Sequence, residues 1–348
     1  MGLRSVNWIL NDVCNSRCTH CDIWQHDGPE LSVQEIYRIL HHPLIDKNTD
    51  IAFGGGEPFL RKDLLKIIAT TQSIYPHTRL TITTNGLLKK KIVECAQQFD
   101  LKFNVSVDGT QHVHDMIRGI EGAYSRTIAT IKALRGLNRQ VEIKLTLMPA
   151  KYDQILAIYT LADSLGCDFS FKPIENMDHY TNKQTDPSTG FTSQMLNTIR
   201  NQAFLVSDQM YRRKDYAKAR FFRDIPFYLA GAYHPTRCSV LENDITIMPD
   251  GKCHFCIKEP HTCTTKSISI PTYDSSFECS SCMLMCGAFK DYSNTPFDNT
   301  IANIEATLAC NLRCPMCTQH ELKSEQMSFA TFESIVKKHS QIQHFSFI

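Results

Sequence analysis

Between residue 5 and about residue 175, short β-type runs alternate with amphipathic helical stretches. No other feature limits the fold as much, because this order is the signature of parallel strands joined by crossover helices. Strand runs are read at Asn7 to Leu10, Ile51 to Phe53, Leu80 to Thr84, Phe103 to Val107, Val141 to Leu147 and Phe169 to Lys172. Helical stretches fall near 32–42, 63–75, 88–98, 122–136 and 153–165. The first helix is well marked: Ser32 caps it, Glu35 completes a capping box, and Leu31 with Ile36 forms a hydrophobic staple. Six such strands predict an α/β fold closed part of the way into a barrel.

Working residues of parallel α/β folds sit at the C-terminal ends of the strands. Four motifs fall there: the loop Cys14-Asn15-Ser16-Arg17-Cys18-Thr19-His20-Cys21, Gly54-Gly55-Gly56-Glu57, Thr84-Asn85-Gly86 and Ser106-Val107-Asp108-Gly109. They are expected to share one rim. Cys14, Cys18 and Cys21 stand at Cx3Cx2C spacing, three thiols within one short loop. Iron–sulfur clusters are normally held by four cysteines, so a 4Fe-4S cluster on these three would keep one iron open to an outside ligand.

The chain has 348 residues, 42% hydrophobic, enough for a large domain and a smaller one. A net charge of +1 gives no electrostatic reason to expect nucleic acid or a membrane surface as partner. Fifteen cysteines without an apolar leader or a membrane-length run fit a reducing cytoplasm, where clustered cysteines bind metal or do chemistry. Thirteen fall into three groups, leaving Cys95 and Cys167 as buried free thiols. The organisation read from the sequence is a barrel over 1–175, a helical linker region over 176–237, a Cys-rich module over 238–299 and a final segment over 300–348. The Cys-rich module contains an alternating run, Ile245 to Lys252, entering a Pro-Asp-Gly turn, which predicts a hairpin. In the last segment Cys310, Cys314 and Cys317 repeat the first cysteine loop at a gap-free offset of 296 residues, and Leu31-Ser32 falls on Met327-Ser328. On that offset Ile348 stands two positions before the equivalent of Gly54, so the segment reads as the start of a second copy of the barrel.

The cysteine loop followed by Gly54-Gly55-Gly56-Glu57-Pro58 resembles the radical S-adenosylmethionine (SAM) superfamily, over roughly residues 5–175. The resemblance implies a partial (β/α)6 TIM-like barrel, a SAM-binding 4Fe-4S cluster on Cys14, Cys18 and Cys21, and SAM itself as cofactor. In that family the reduced cluster cleaves SAM to methionine and a 5′-deoxyadenosyl radical, which abstracts a substrate hydrogen. By the family pattern Gly55, Gly56 and Glu57 hold the methionine end, with the Glu57 carboxylate accepting from the ammonium; Ser106 and Asp108 lie where the ribose is bound, and Asn85 and Arg118 lie near the cofactor. A residue before the third cysteine is often aromatic in the family and is His20 here. Residues 238–299 resemble the SPASM domain and its shorter form, Twitch. Their Cx2Cx3C run at Cys279, Cys282 and Cys286 departs from the fuller Cx2Cx5Cx3C pattern, which implies one auxiliary 4Fe-4S cluster, on Cys238, Cys256, Cys279 and Cys282, with Cys253, Cys263 and Cys286 as possible substitutes.

Other readings stay open beside these. Three cysteines with His20 or His26 suit structural zinc, and Cys253-His254-Phe255-Cys256 with Cys279-Ser280-Ser281-Cys282 suits a zinc ribbon. Asp108 and Arg118 read equally as a surface turn and an ion pair, and the Gly-rich stretch as a plain tight turn. Without GxGxxG or CxxCH, neither a dinucleotide fingerprint nor covalent haem is indicated. The expectation is a cytoplasmic radical SAM enzyme acting on a sugar-like small molecule or a peptide, with a reductase such as flavodoxin or ferredoxin as partner; the alternative is a non-catalytic iron–sulfur or zinc-binding scaffold or sensor.

Overall fold

A computed structural model describes residues 2–26, 28–174, 190–231, 244–256, 262–265, 301–304 and 344–347. Two compact units divide the chain, Met1–Asp291 and Tyr292–Ile348.

The first unit is built on one sheet. Its strands are β1 (Ser5–Ile9), β2 (Asp50–Gly54), β3 (Leu80–Thr84), β4 (Lys102–Ser106), β5 (Gln140–Leu147), β6 (Asp168–Pro173), β7 (Asp244–Ile247), β8 (Lys252–His254) and β9 (Thr262–Thr264). They lie in the order β6-β5-β4-β3-β2-β1-β7-β8-β9. The first six are parallel, as the alternation of strand and helix predicts. Helices α1 (Val33–Leu40), α2 (Leu64–Ile74), α3 (Lys89–Gln98), α5 (Ala123–Gly136) and α6 (Ile155–Ser164) make the crossovers, with a short α4 (Gln111–Arg118) ahead of α5. The capping box at Ser32 forms as read: the Ser32 hydroxyl accepts from the Glu35 amide, and the Glu35 carboxylate accepts from the Ser32 amide. Helices α7 (Ser193–Arg212) and α8 (Tyr216–Leu229) follow β6.

Side-chain alternation gives the sheet two unlike faces. One carries Val6, Trp8, Ile51, Phe53, Ile82, Phe103, Val105, Val141, Ile143, Leu145, Phe169 and Phe171, each no more than 2% exposed. The crossover helices pack here: Tyr159 of α6 meets Phe169 edge-on, and Phe222 of α8 stacks on Phe171 at 4.4 Å. The opposite face is polar or small. By register it gathers Asn7, Ala52, Thr81, Thr83, Lys102, Asn104, Ser106, Glu142, Lys144, Thr146, Ser170 and Lys172. A barrel wall that is oily outside and wet inside is what a chain needs to hold a polar ligand within.

The predicted hairpin over 245–252 is present: β7 and β8 are antiparallel, joined through a turn at Gly251 (φ 81°). It does not stand apart from the barrel sheet. β7 pairs parallel with β1, Ser5 opposite Asp244, and extends the sheet on that side. The junction is polar. Asp244, 1% exposed, accepts from the Ser5 hydroxyl and from Arg4 Nη2 at 2.9 Å. Cys95 and Cys167 are buried free thiols, as expected.

In the second unit β10 (Ile301–Ile304) and β11 (His344–Phe347) pair parallel. β10 falls on β1 at the sequence offset of 296 residues, so the first strand pair of the barrel recurs. The spacing differs: β1 pairs residues 45 apart, Ser5 with Asp50, whereas β10 pairs residues 43 apart, Ile301 with His344. The paired register therefore sets Phe347 opposite Ile304 as Phe53 is opposite Trp8, and the position equivalent to Gly54 falls on Ile348, two residues earlier than the gap-free offset puts it. The cysteines of this segment lie outside the described residues.

Replacing Asp244 with alanine removes the acceptor that joins β7 to β1 and strands buried donors, at a cost of about 1–3 kcal/mol. Hydrogen exchange of the β7 and β8 amides is expected to accelerate in Asp244→Ala while β3 and β4 keep their protection.

Candidate active site

The site is assembled where the β1–β2 ladder runs past the ends of its strands. Leu10 donates to the Gly54 carbonyl at 2.8 Å; beyond it the Gly56 and Glu57 amides donate to the carbonyls of Asn11 and Val13, both at 2.9 Å. The cysteine loop is thereby zipped to the Gly-rich turn. Neither Gly55 nor Gly56 tolerates a side chain: a Cβ on Gly55 (φ 133°) would lie 2.4 Å from the Asn11 carbonyl oxygen, and one on Gly56 would lie 2.3 Å from that of Val13. The two glycines thus serve the contact between turn and loop, with the Gly56 amide spent on it. Arg61 closes the loop at both ends, donating to the carbonyls of Leu10 (2.7 Å) and Leu31. No signal in the sequence pointed to that role.

Two further elements grip the loop. Asn85, after β3, sends its side-chain amide to Asn15 Oδ1 (2.7 Å) and Ser16 Oγ (3.2 Å). Helix α4 offers its last carbonyls, which have no partner within a helix, to the loop: Arg17 donates to Arg118 (3.0 Å) and Thr19 to Ile117 (2.9 Å). The Arg118 guanidinium meanwhile donates to Cys18 Sγ at 3.7 Å. Helix α4 was not among the helices read from the sequence. It is only eight residues long, with Val113, Met116 and Ile117 as its apolar positions, so little periodicity marks it.

Several residues expected at the cofactor have partners within the protein. The Glu57 carboxylate is fully buried and accepts from Thr84 Oγ1 (2.8 Å), the Asn85 amide (2.8 Å) and the Phe59 amide (3.2 Å). It ties the end of β2 to the end of β3. Burial pushes its pKa up to about 7 against these three bonds. Asp108, 1% exposed, is held by Lys151 Nζ and by Arg118 Nη2 at 2.6 Å, so it stands between two cations. Burial alone would raise its pKa; Arg118 and Lys151 outweigh that and hold the carboxyl well below the ordinary range. Nor is this pair at the surface, since Lys151 has no exposure at all. Arg118 and Asn85 likewise act on the cysteine loop. Ser106 keeps an available hydroxyl on the polar face, with no hydrogen-bond partner among the described residues.

The donor set suits an iron–sulfur cluster. All three thiols are free and part-exposed, and burial raises the pKa of Cys14 and pushes that of Cys21 up to about 12. Metal coordination deprotonates such thiols outright. Two polar atoms at the same rim, Asn11 Oδ1 beside Gly55 and His20 Nδ1, have no protein partner. Burial takes His20 down to about 3, so its ring is neutral at ordinary pH. Among the described residues, no group of three His, Cys, Asp or Glu side chains gathers around a single-ion position. Of the expected auxiliary ligands, Cys256 is buried, while Cys238, Cys279 and Cys282 lie outside the described residues, as do Cys286 and the Cys263 side chain.

Residues 8–162 match the family model of the Radical SAM superfamily. An AdoMet-dependent heme synthase of Methanosarcina barkeri is 30% identical over 169 residues, 47% of this chain and 48% of that protein. A GTP 3′,8-cyclase of Mannheimia succiniciproducens is 32% identical over 152 residues, 38% of this chain and 45% of the other. Streptococcus suis SuiB bound to S-adenosylmethionine shares the fold at a TM-score of 0.59 and 17% identity, over 76% of this chain and 64% of SuiB. The resemblance to the radical SAM superfamily covers residues 8–162, a little under half of the chain. It spans about half the length of the curated relatives it matches. No helix among the described residues is long and apolar enough to cross a membrane.

Two variants probe this assembly. Gly56→Ala is expected to push the cysteine loop off the turn, seen as iron incorporation cut to less than about half in anaerobic reconstitution of protein that still folds. Asp108→Asn leaves the Lys151 ammonium buried without its counter-charge and is expected to cost about 3–5 kcal/mol at neutral pH. A depressed carboxyl contributes its stability above its ordinary pKa of about 4 and loses it as the pH falls toward the folded value, so the urea midpoints of wild type and variant should keep their separation from pH 7 to about pH 4 and begin to converge only below that.

Proposed function

We propose that this chain is a radical SAM enzyme in which Cys14, Cys18 and Cys21 hold a 4Fe-4S cluster. When bound, that cluster supplies an open iron for SAM and the electron that splits its sulfonium, so that a hydrogen atom is taken from a substrate. The observation that carries the reading is the zipped contact between the three-thiol loop and Gly54-Gly55-Gly56-Glu57, directly above a polar sheet face. The loop's grip by Arg61, Asn85 and α4 holds the thiols in a fixed arrangement, which chemistry on a highly reactive species demands. Arg118 donates to the Cys18 sulfur and sets a positive charge beside it. Ser106, on the polar face near the rim, is the hydroxyl placed for a ribose. The apolar outer face with its helices keeps water from the wall behind the site.

Substrate class is open between a small molecule and a peptide at this level. An electron donor such as flavodoxin or ferredoxin belongs to the proposal, as does a Twitch-like module with an auxiliary cluster on Cys238, Cys256, Cys279 and Cys282. The start of a second radical SAM core over 300–348 is supported by the recurrence of the parallel strand pair.

Anaerobically reconstituted protein given dithionite and SAM is expected to release 5′-deoxyadenosine and methionine. Cys18→Ala should release neither above background. Cluster-loaded wild type that leaves SAM intact would overturn the proposal in favour of a scaffold or sensor.

A further inference from the structure

The polar face holds more positive charge than the described carboxylates neutralise. Lys102 of β4, Lys144 of β5 and Lys172 of β6 share it, and Lys218 reaches in from α8. Their main counter-charge is one carboxylate. Glu142, 6% exposed, has Lys102 Nζ at 2.9 Å, Lys218 Nζ at 3.2 Å and Lys144 Nζ at 3.9 Å. Asp168 is a distant second, 3.9 Å from Lys102 and 62% exposed. Lys172 has no acidic partner among the described residues.

Lys144 and Lys172 are placed to act together. Lys144 pairs with Ser170 and Lys172 with Thr146, so the two lysines are diagonal neighbours on adjacent parallel strands. Strand geometry sets such positions roughly 5–8 Å apart, a separation two anionic groups of one molecule can match. Burial, reinforced by the neighbouring lysines, lowers the Lys144 pKa, although about a third of its side chain (32%) is exposed. The Lys144 ammonium is thus crowded by like charge yet remains within reach of a ligand. Lys172 also acts electrostatically on His20 beside the third cysteine, so the positive run extends to the rim where Lys151 and Arg118 stand. Like charges gathered on a low-dielectric wall repel one another, and an anion arriving there is drawn in and removes that cost.

We propose that the β4–β6 part of the polar face binds a small molecule carrying two or more carboxylate or phosphate groups, with Lys144 and Lys172 as its anchors. The proposal rests on the function above in taking this face as the substrate side of the site.

Isothermal titration of the anaerobically reconstituted full chain, without SAM, tests it with two probes, tripolyphosphate and citrate. Wild type should bind at least one, more weakly as salt rises, and the tighter probe tells phosphate from carboxylate. The double variant Lys144→Met, Lys172→Met should bind about tenfold or more weakly; the double arginine variant should retain binding. Lys90→Met, on the exposed part of α3, should behave as wild type. Thermal melting of each variant checks that it is folded. Absence of binding to wild type, equal binding by the folded methionine variant, or an equal loss in Lys90→Met would overturn the proposal. SAM cleavage measured on the same samples separates the two claims: cleavage without anion binding defeats this inference alone, and anion binding without cleavage defeats only the radical reading.

Discussion

The backbone contact between the Gly-rich turn and the cysteine loop is the constraint on which the site depends. Two carbonyls of the loop, Asn11 and Val13, accept from consecutive amides of the turn, and no Cβ fits between the two segments. Everything that positions the thiols is added to that contact: Arg61 at the loop's ends, Asn85 on its first half and the carbonyls of α4 on its second. The loop is long and carries no regular structure of its own beyond a short turn at Ile23–Gln25. Its shape is therefore borrowed from four surrounding segments, each reaching the same end of the sheet because the first six strands all point that way.

Charge at this end is arranged in layers. Asp108, between Arg118 and Lys151, neutralises one of two cations and leaves the other near the sulfurs. Deeper in, Glu142 stands among Lys102, Lys144 and Lys218, with Lys172 above. Carboxylates in this barrel act as internal counter-ions, and the balance remains positive at both depths.

The sequence made the scaffold legible and blurred the division of labour within the site. Strong period-2 runs and a complete capping box at Ser32 marked strands and first helix, because those signals are local. The hairpin at 245–252 was equally local, yet its parallel docking on β1 was not, since pairing across more than two hundred residues leaves no trace in either segment. The motif positions share the rim, and the protein partners of Glu57, Asn85, Asp108 and Arg118 there, the loop and one another, were not legible. A polar residue at a strand end looks the same in sequence whether its partner is a ligand or the neighbouring turn. Helix α4 was missed for its brevity, and Arg61 because a single arginine after a turn carries no pattern.

The contact between turn and loop also has an uneven tolerance to evolutionary change. On the loop side it uses carbonyl oxygens, which every residue type possesses, and Val13 points outward, 46% exposed. On the turn side it demands the absence of any side chain. Drift among descendants of this chain can therefore rewrite Val13 with little consequence, while Gly55 and Gly56 stay locked, and a lineage that abandons them must abandon the geometry of its sulfur ligands as well.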